Sequence, residues 1–160
     1  MSDPFTLQHE GLVHVHRLLA GAFSTVIAAP DLAQLVPAAR TAGGFLAGHH
    51  AMESDVLFPG LRRHGKLRST DVAFLDAFDR EHHELHLLCD RLLAAANAPH
   101  PTVIAIVSLA RDIATRLAVH TKEEEDRLTP ERLREMITVD GFLEVGREID
   151  AARERATRPA

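Results

Sequence analysis

The chain has 160 residues, 46% of them hydrophobic and 26% charged, with a formal net charge of −5. That composition is enough to bury the core of one globular domain, and an acidic balance without a basic patch argues against nucleic-acid or anionic-membrane partners. Cys89 is the single cysteine, residues 1–8 lack the regions of a signal peptide, and no apolar run approaches the ~20 residues of a membrane span, so a cytoplasmic location is expected.

Apolar residues recur at helical spacing along the chain, and no segment sustains the alternation of a strand. A first helix is predicted from about Thr6 to Ala28, with Leu12, His16, Leu19 and Phe23 on one stripe and Pro30 ending it. A second is predicted over about 31–61, disturbed at Pro37 and loosened at Gly43 and Gly44; its stripe includes Leu46, His49, Glu53 and Leu57. Ser69, Thr70 and Asp71 are candidate N-caps for a third helix reaching about Ala96, with Phe78, His82, Leu85, His86 and Cys89 on its stripe. After Pro99-His100-Pro101 a fourth helix runs over about 102–127, with Ile113, Leu117, His120 and Glu124 in line. Thr129-Pro130 opens a short extra helix, and a last amphipathic helix covers about 140–157. Four long helices with short connections predict an all-α, antiparallel up-down four-helix bundle, carrying the short extra helix and the C-terminal helix.

Polar residues interrupt those stripes in a pattern. His49-x-x-x-Glu53-x-Asp55-x-Leu57-x-Pro59 recurs as His120-x-x-x-Glu124-x-Asp126-x-Leu128-x-Pro130. Residues four apart on a helix share a face, with Cβ atoms roughly 6 Å apart, so each copy aims an imidazole and a carboxylate at a common point. His16, His49, Glu53, His82, His86, His120 and Glu124 all stand where leucine would be expected. Two carboxylates buried without partners would be costly, whereas facing five imidazoles around cations they are reasonable. Five histidines and two carboxylates exceed one tetrahedral site and suit two ions.

The stretches HHAMESDVLFP, REHHELHLL and VHTKEEEDRLTP, with His16-Arg17 upstream, resemble the hemerythrin-like (HHE cation-binding) family over roughly residues 10–130. The resemblance implies a hemerythrin-like bundle over residues 1–130; the helical extension over 131–160, outside the resemblance, is expected to pack on the same domain. The resemblance also implies a cofactor of two non-haem iron ions, oxo- or hydroxo-bridged, with dioxygen or peroxide as ligand. By that resemblance His82, His86 and His120 hold one iron, His16 and His49 hold the other with a position open, and Glu53 and Glu124 bridge them. Oxygen-carrying members have His-x-x-x-x-Asp on the last helix, where this chain offers Glu124 at the fourth position and Glu125 at the fifth.

Neighbouring histidines compete for these roles. His14 and His9 lie near His16, His83 lies beside His82, and His50, beside His49, reads as a solvent-facing residue or a partner of a ligand. Asp55 and Asp126 point away from the glutamates, and Cys89 reads as a small core residue. Three functions follow: an oxygen-binding module; a di-iron enzyme of the catalase, peroxidase or ferroxidase kind; or a redox-silent metal-binding or interaction bundle. Phe142, Leu143 and Ile149 offer a face for the bundle or for a second copy in a homo-oligomer.

Overall fold

A computed structural model of the protein describes residues 3–157, so the extreme ends of the two predicted segments lie outside it. Seven α-helices occur, α1 (Pro4–Ala28), α2 (Leu32–Met52), α3 (Phe58–His64), α4 (Ser69–Ala96), α5 (Val103–Arg127), α6 (Pro130–Met136) and α7 (Val139–Thr157), and no strand is found among the described residues. Helix starts are set by short oxygen-bearing side chains. Asp3 accepts from the Thr6 amide at 2.8 Å, Asp31 from Gln34 at 3.0 Å, and Thr102 and Thr129 cap α5 and α6 in the same way. Helix α4 departs from the predicted start. Its N-cap is Arg68, and the buried Asp71, three residues on, accepts from the Arg68 amide at 2.8 Å and pairs with Arg132 of α6.

The predicted second helix is three pieces run together. Between α2 and α3 lies a π-helical turn, Glu53–Leu57, closed by the Phe58 amide donating to the Glu53 carbonyl. Pro59 lacks an amide hydrogen and its ring crowds the turn behind it, so a widened turn immediately upstream absorbs the proline without ending the helix. The chain thus stays helical to His64, where Gly65 ends it. A Cβ at Gly65 would stand 2.4 Å from the Leu61 carbonyl oxygen and 2.9 Å from that of Met136, so only glycine lets α3 turn so close to α6.

Helices α1, α2, α4 and α5 form the four-membered ring, each against two neighbours. Helix α1, 25 residues long, is apolar enough to cross a membrane by length and composition alone, unlike the expectation from apolar runs. Its stripe of Phe5, Leu12, Leu19, Phe23 and Val26 is buried in the bundle. Close approach of α2 to α4 depends on Gly43, where a Cβ would meet Cys89 Sγ at 3.0 Å.

The interior divides into two apolar clusters. One end holds Leu19, Phe23, Leu46, Leu85, Cys89 and Leu117 among others. The other end holds Leu12, Leu57, Phe58, Phe78 and Leu128, and into it α6 and α7 insert Leu133, Met136, Phe142, Val145 and Ile149. On every helix of the ring the step from one cluster to the other crosses a polar residue: His16 on α1, His49 and Glu53 on α2 and its π turn, His82 on α4, His120 and Glu124 on α5. The bundle therefore contains one polar layer between two apolar caps.

Candidate metal centre

The polar layer contains donor atoms in two groups. His16, His49, Glu53 and Glu124 bring one donor atom each to within 4.8 Å of one another, and His50, His82 and His120 do the same. Both carboxylates reach across. Glu53 Oε1 lies 3.3 Å from His49 Nε2 while its Oε2 lies 3.5 Å from His82 Nε2. Glu124 Oε2 lies 3.4 Å from His16 Nε2 and 3.8 Å from His120 Nε2. Each glutamate thus faces a histidine of either group.

The inner nitrogens are aimed from behind. His16 Nδ1 donates to Glu125 Oε1 at 2.8 Å, and His120 Nδ1 donates to Glu81 Oε2 at 2.7 Å. His82 Nδ1 and the Ser54 hydroxyl share a 2.8 Å hydrogen bond. Holding Nδ1 in this way orients the ring and leaves the Nε2 lone pair for a cation, the usual arrangement behind a metal-ligating histidine. Glu125 is 29% exposed and Glu124 is fully buried. Of the two adjacent glutamates on α5, Glu124 faces the group and Glu125 supports His16.

Buried polar atoms are nearly always hydrogen-bonded. Among the described residues, His16 Nε2, His49 Nε2, both nitrogens of His50, both oxygens of Glu53, His86 Nε2 and both oxygens of Glu124 are buried without a hydrogen-bond partner; outside this layer only Asp79 Oδ1 shares that state. Converging nitrogen and oxygen donors in this condition fit cations and make poor packing on their own.

Electrostatics report the same mismatch. Burial, reinforced by the charge of Glu124, holds the Glu53 carboxyl far above the usual carboxylate range. Burial, with the neighbouring His16 and His120, drives His49 down to about 3, and His50 and His82 are likewise pushed down by burial and by each other's company. His16 differs: burial opposes its protonated form, but the closely facing Glu124 carboxylate and the hydrogen bond and charge of Glu125 outweigh this and raise it. A cation removes the conflict by favouring neutral imidazole and ionised carboxylate together.

All seven residues singled out in the sequence lie in or beside this layer. Six are in the two groups, and His86 stands next to them, its ring 5.4 Å from that of His50. Burial of His50 overturns the reading of it as solvent-facing. His50 is 1% exposed, its ring stacks on His82 at 3.9 Å and 12°, and it lies among His49, His86 and His120. Tracing one stripe per helix misses it, because His49 and His50 are a doublet about 100° apart around the axis. The signal available was that doublet lying opposite the pair His82 and His86. His83 and His14 are exposed, as are Asp55 and Asp126, the latter paired with Lys122 at 2.7 Å. Ser54 and Glu81 carried no sequence signal of their own.

The family model of the hemerythrin HHE cation binding domain matches residues 3–131. The chain belongs to that family. This hemerythrin-like chain is accordingly an all-α, cation-binding helical domain, and its match ends where α6 begins, so most of α6 and all of α7 lie beyond it. No curated protein and no solved structure matches the chain significantly.

Proposed function

We propose that this hemerythrin-like protein holds two iron ions in the polar layer and uses them to bind dioxygen or a related small molecule. The observation that carries the reading is the set of buried, unpartnered nitrogen and oxygen atoms from four helices, arranged as two groups with a glutamate facing both. In this reading His50, His82, His86 and His120 serve one ion, His16 and His49 serve the other, and Glu53 and Glu124 bridge. Four histidines stand on one side of the layer and two on the other, so the His16/His49 side would leave more room for a further ligand. The small molecule therefore binds on the His16/His49 side.

When bound, the metal pair supplies an open coordination position and exchangeable electrons; the protein supplies orientation and dryness. Glu125, Ser54 and Glu81 keep three rings in position. Leu46, Leu85 and Leu117 above the layer, and Leu12 below it, are buried and keep water out. Five or more neutral imidazoles against two carboxylates stabilise high-valent iron less than carboxylate-rich di-iron sites do, which favours ligand binding over attack on strong C–H bonds.

Metal analysis with the visible spectrum of anaerobic ferrous protein before and after air tests the reading. Two irons per chain and an oxygen-dependent band that reverses on deoxygenation support a binding module. Irreversible oxidation followed by peroxide turnover replaces it with a catalase-like enzyme. Protein isolated without iron from iron-replete cells, and unable to take it up, sinks it.

A further inference from the structure

A cleft of about 240 Å³ opens between α1, the end of α2 and α7, and it has His49 and Glu53 at its inner end. Its walls are apolar, from Leu12, Val15, Met52, Leu57 and Ile149, and its rim carries Gln8, His14 and Arg153. Two of these residues, Ile149 and Arg153, come from α7, beyond the part of the chain that matches the family. Gly11 also lines it, exposed on α1, and a Cβ there would find nothing within 4 Å. A second cleft, between α4 and α5, also touches the layer, at His120. That approach meets a ring whose outward nitrogen is already bonded to Glu81, which lines the same cleft. It reaches the back of a histidine, whereas the α1/α2/α7 cleft reaches Glu53, whose oxygens are free.

We propose that the α1/α2/α7 cleft is the entry route for small, weakly polar molecules to the His16/His49 side of the layer, and that α7 supplies one of its walls. The proposal rests on the binuclear reading above for what is bound at the inner end. It is independent of that reading for the route itself. Helix α7 is anchored below the cleft by Phe142 and Val145 in the lower apolar cluster and by Glu148, which accepts from Arg63 at 3.1 Å. Ile149 is seated in the lower apolar cluster, and Arg153 is mostly exposed with a 3.7 Å contact to Asp150 on its own helix. Apolar walls admit an uncharged diatomic molecule without desolvation cost and disfavour ions.

Two variants act on the route without touching a donor residue. Gly11→Phe fills the mouth from an exposed helical position, and Ile149→Ala removes wall from α7. With iron-loaded protein, stopped-flow association of nitric oxide is expected to slow at least fivefold in Gly11→Phe and to accelerate in Ile149→Ala. Iron content and equilibrium affinity are expected to stay unchanged, because a route alters entry and exit together. With metal-free protein, carbethoxylation of His49 by diethyl pyrocarbonate, mapped by peptide mass, is expected to follow the same order, with exposed His100 as the internal control. Unchanged nitric oxide rates together with unchanged His49 modification in Gly11→Phe overturn the route. Loss of iron binding in the parent protein overturns the binuclear reading instead, and the metal-free measurement then still decides the route.

Discussion

Glu53 stands between two helices' histidines, with Oε2 3.5 Å from His82 Nε2 and the other oxygen 3.3 Å from His49 Nε2. Neither oxygen has a hydrogen-bond donor, and burial beside Glu124 keeps the carboxyl protonated well above its usual range in the metal-free protein. The same residue is thus a liability without cations, and in the proposed two-ion site it would be a bridge. Glu53→Gln, nearly isosteric, is expected to lose at least one iron per chain. Its metal-free form is expected to be at least as stable as the parent at neutral pH, since it removes a buried acid, a difference on the order of 1 kcal/mol. Iron analysis and thermal melts with and without metal check both signs. Full iron in the variant rules out the bridge.

Glu124 and Glu125 are adjacent but do different work. Glu124 faces His16 and His120, whereas Glu125 accepts from the far nitrogen of His16. Glu124→Gln is expected to abolish binding of the second ion, and Glu125→Gln to weaken it about 10- to 100-fold while keeping the stoichiometry. Competition titration with a chelator separates these; equal effects from the two variants refute the division of roles.

His50 is the sharpest test of the structure against the stripe reading. His50→Leu keeps a buried side chain of similar bulk but removes two unpartnered nitrogens. The metal-free variant is expected to gain about 1 kcal/mol of stability, and iron content is expected to fall by about one ion per chain. Two irons and an unchanged spectrum in the variant would reduce His50 to a packing ring.

Acid should unfold the metal-free protein early. His49 titrates near 3 in the fold against an ordinary 6.5, because burial, with His16 and His120 nearby, resists its charge. Between those values the unfolded chain holds a proton that the folded chain lacks, so unfolding is favoured as pH falls. This stability is complete above about pH 6.5 and declines towards pH 3, at about 1.4 kcal/mol per pH unit for each such histidine. His50 and His82 add the same sign. Glu53, raised rather than lowered, opposes it: its contribution is present at low pH and is lost as pH rises above 4.5 towards its folded value. His16, raised, also opposes it, but only above about pH 6.5. Denaturant melts of metal-free protein from pH 7.5 to 4.5 check the balance, and three depressed histidines against Glu53 predict a net loss on acidification below pH 6.5. Stability that is flat across that range contradicts it.

Helical order, the two His-x-x-x-Glu motifs and the stripe positions of His16, His82, His86 and His120 were legible in the chain because helical periodicity is local: a residue's face follows from its neighbours four positions away. So was the short helix at Thr129-Pro130, since capping oxygen and proline act within one turn. Roles that depend on what lies across the interior were not. Whether His49, His50 or both enter the layer depends on how far α4 and α5 stand from α2, and whether Glu124 or Glu125 faces inward depends on where α1 places His16. The π turn at Glu53–Leu57 shifts the facing of everything after it, a change that apolar spacing at 3.6 residues per turn does not reveal. The wall that α7 lends to the cleft belongs to the same class, because it joins residues 11 and 149, which only packing brings together. Sequence alone determined the helices and most of the histidines and glutamates that could meet a cation; tertiary structure decided that His50 joins them and that the donors fall into two groups, because donor convergence is a property of four helices at once.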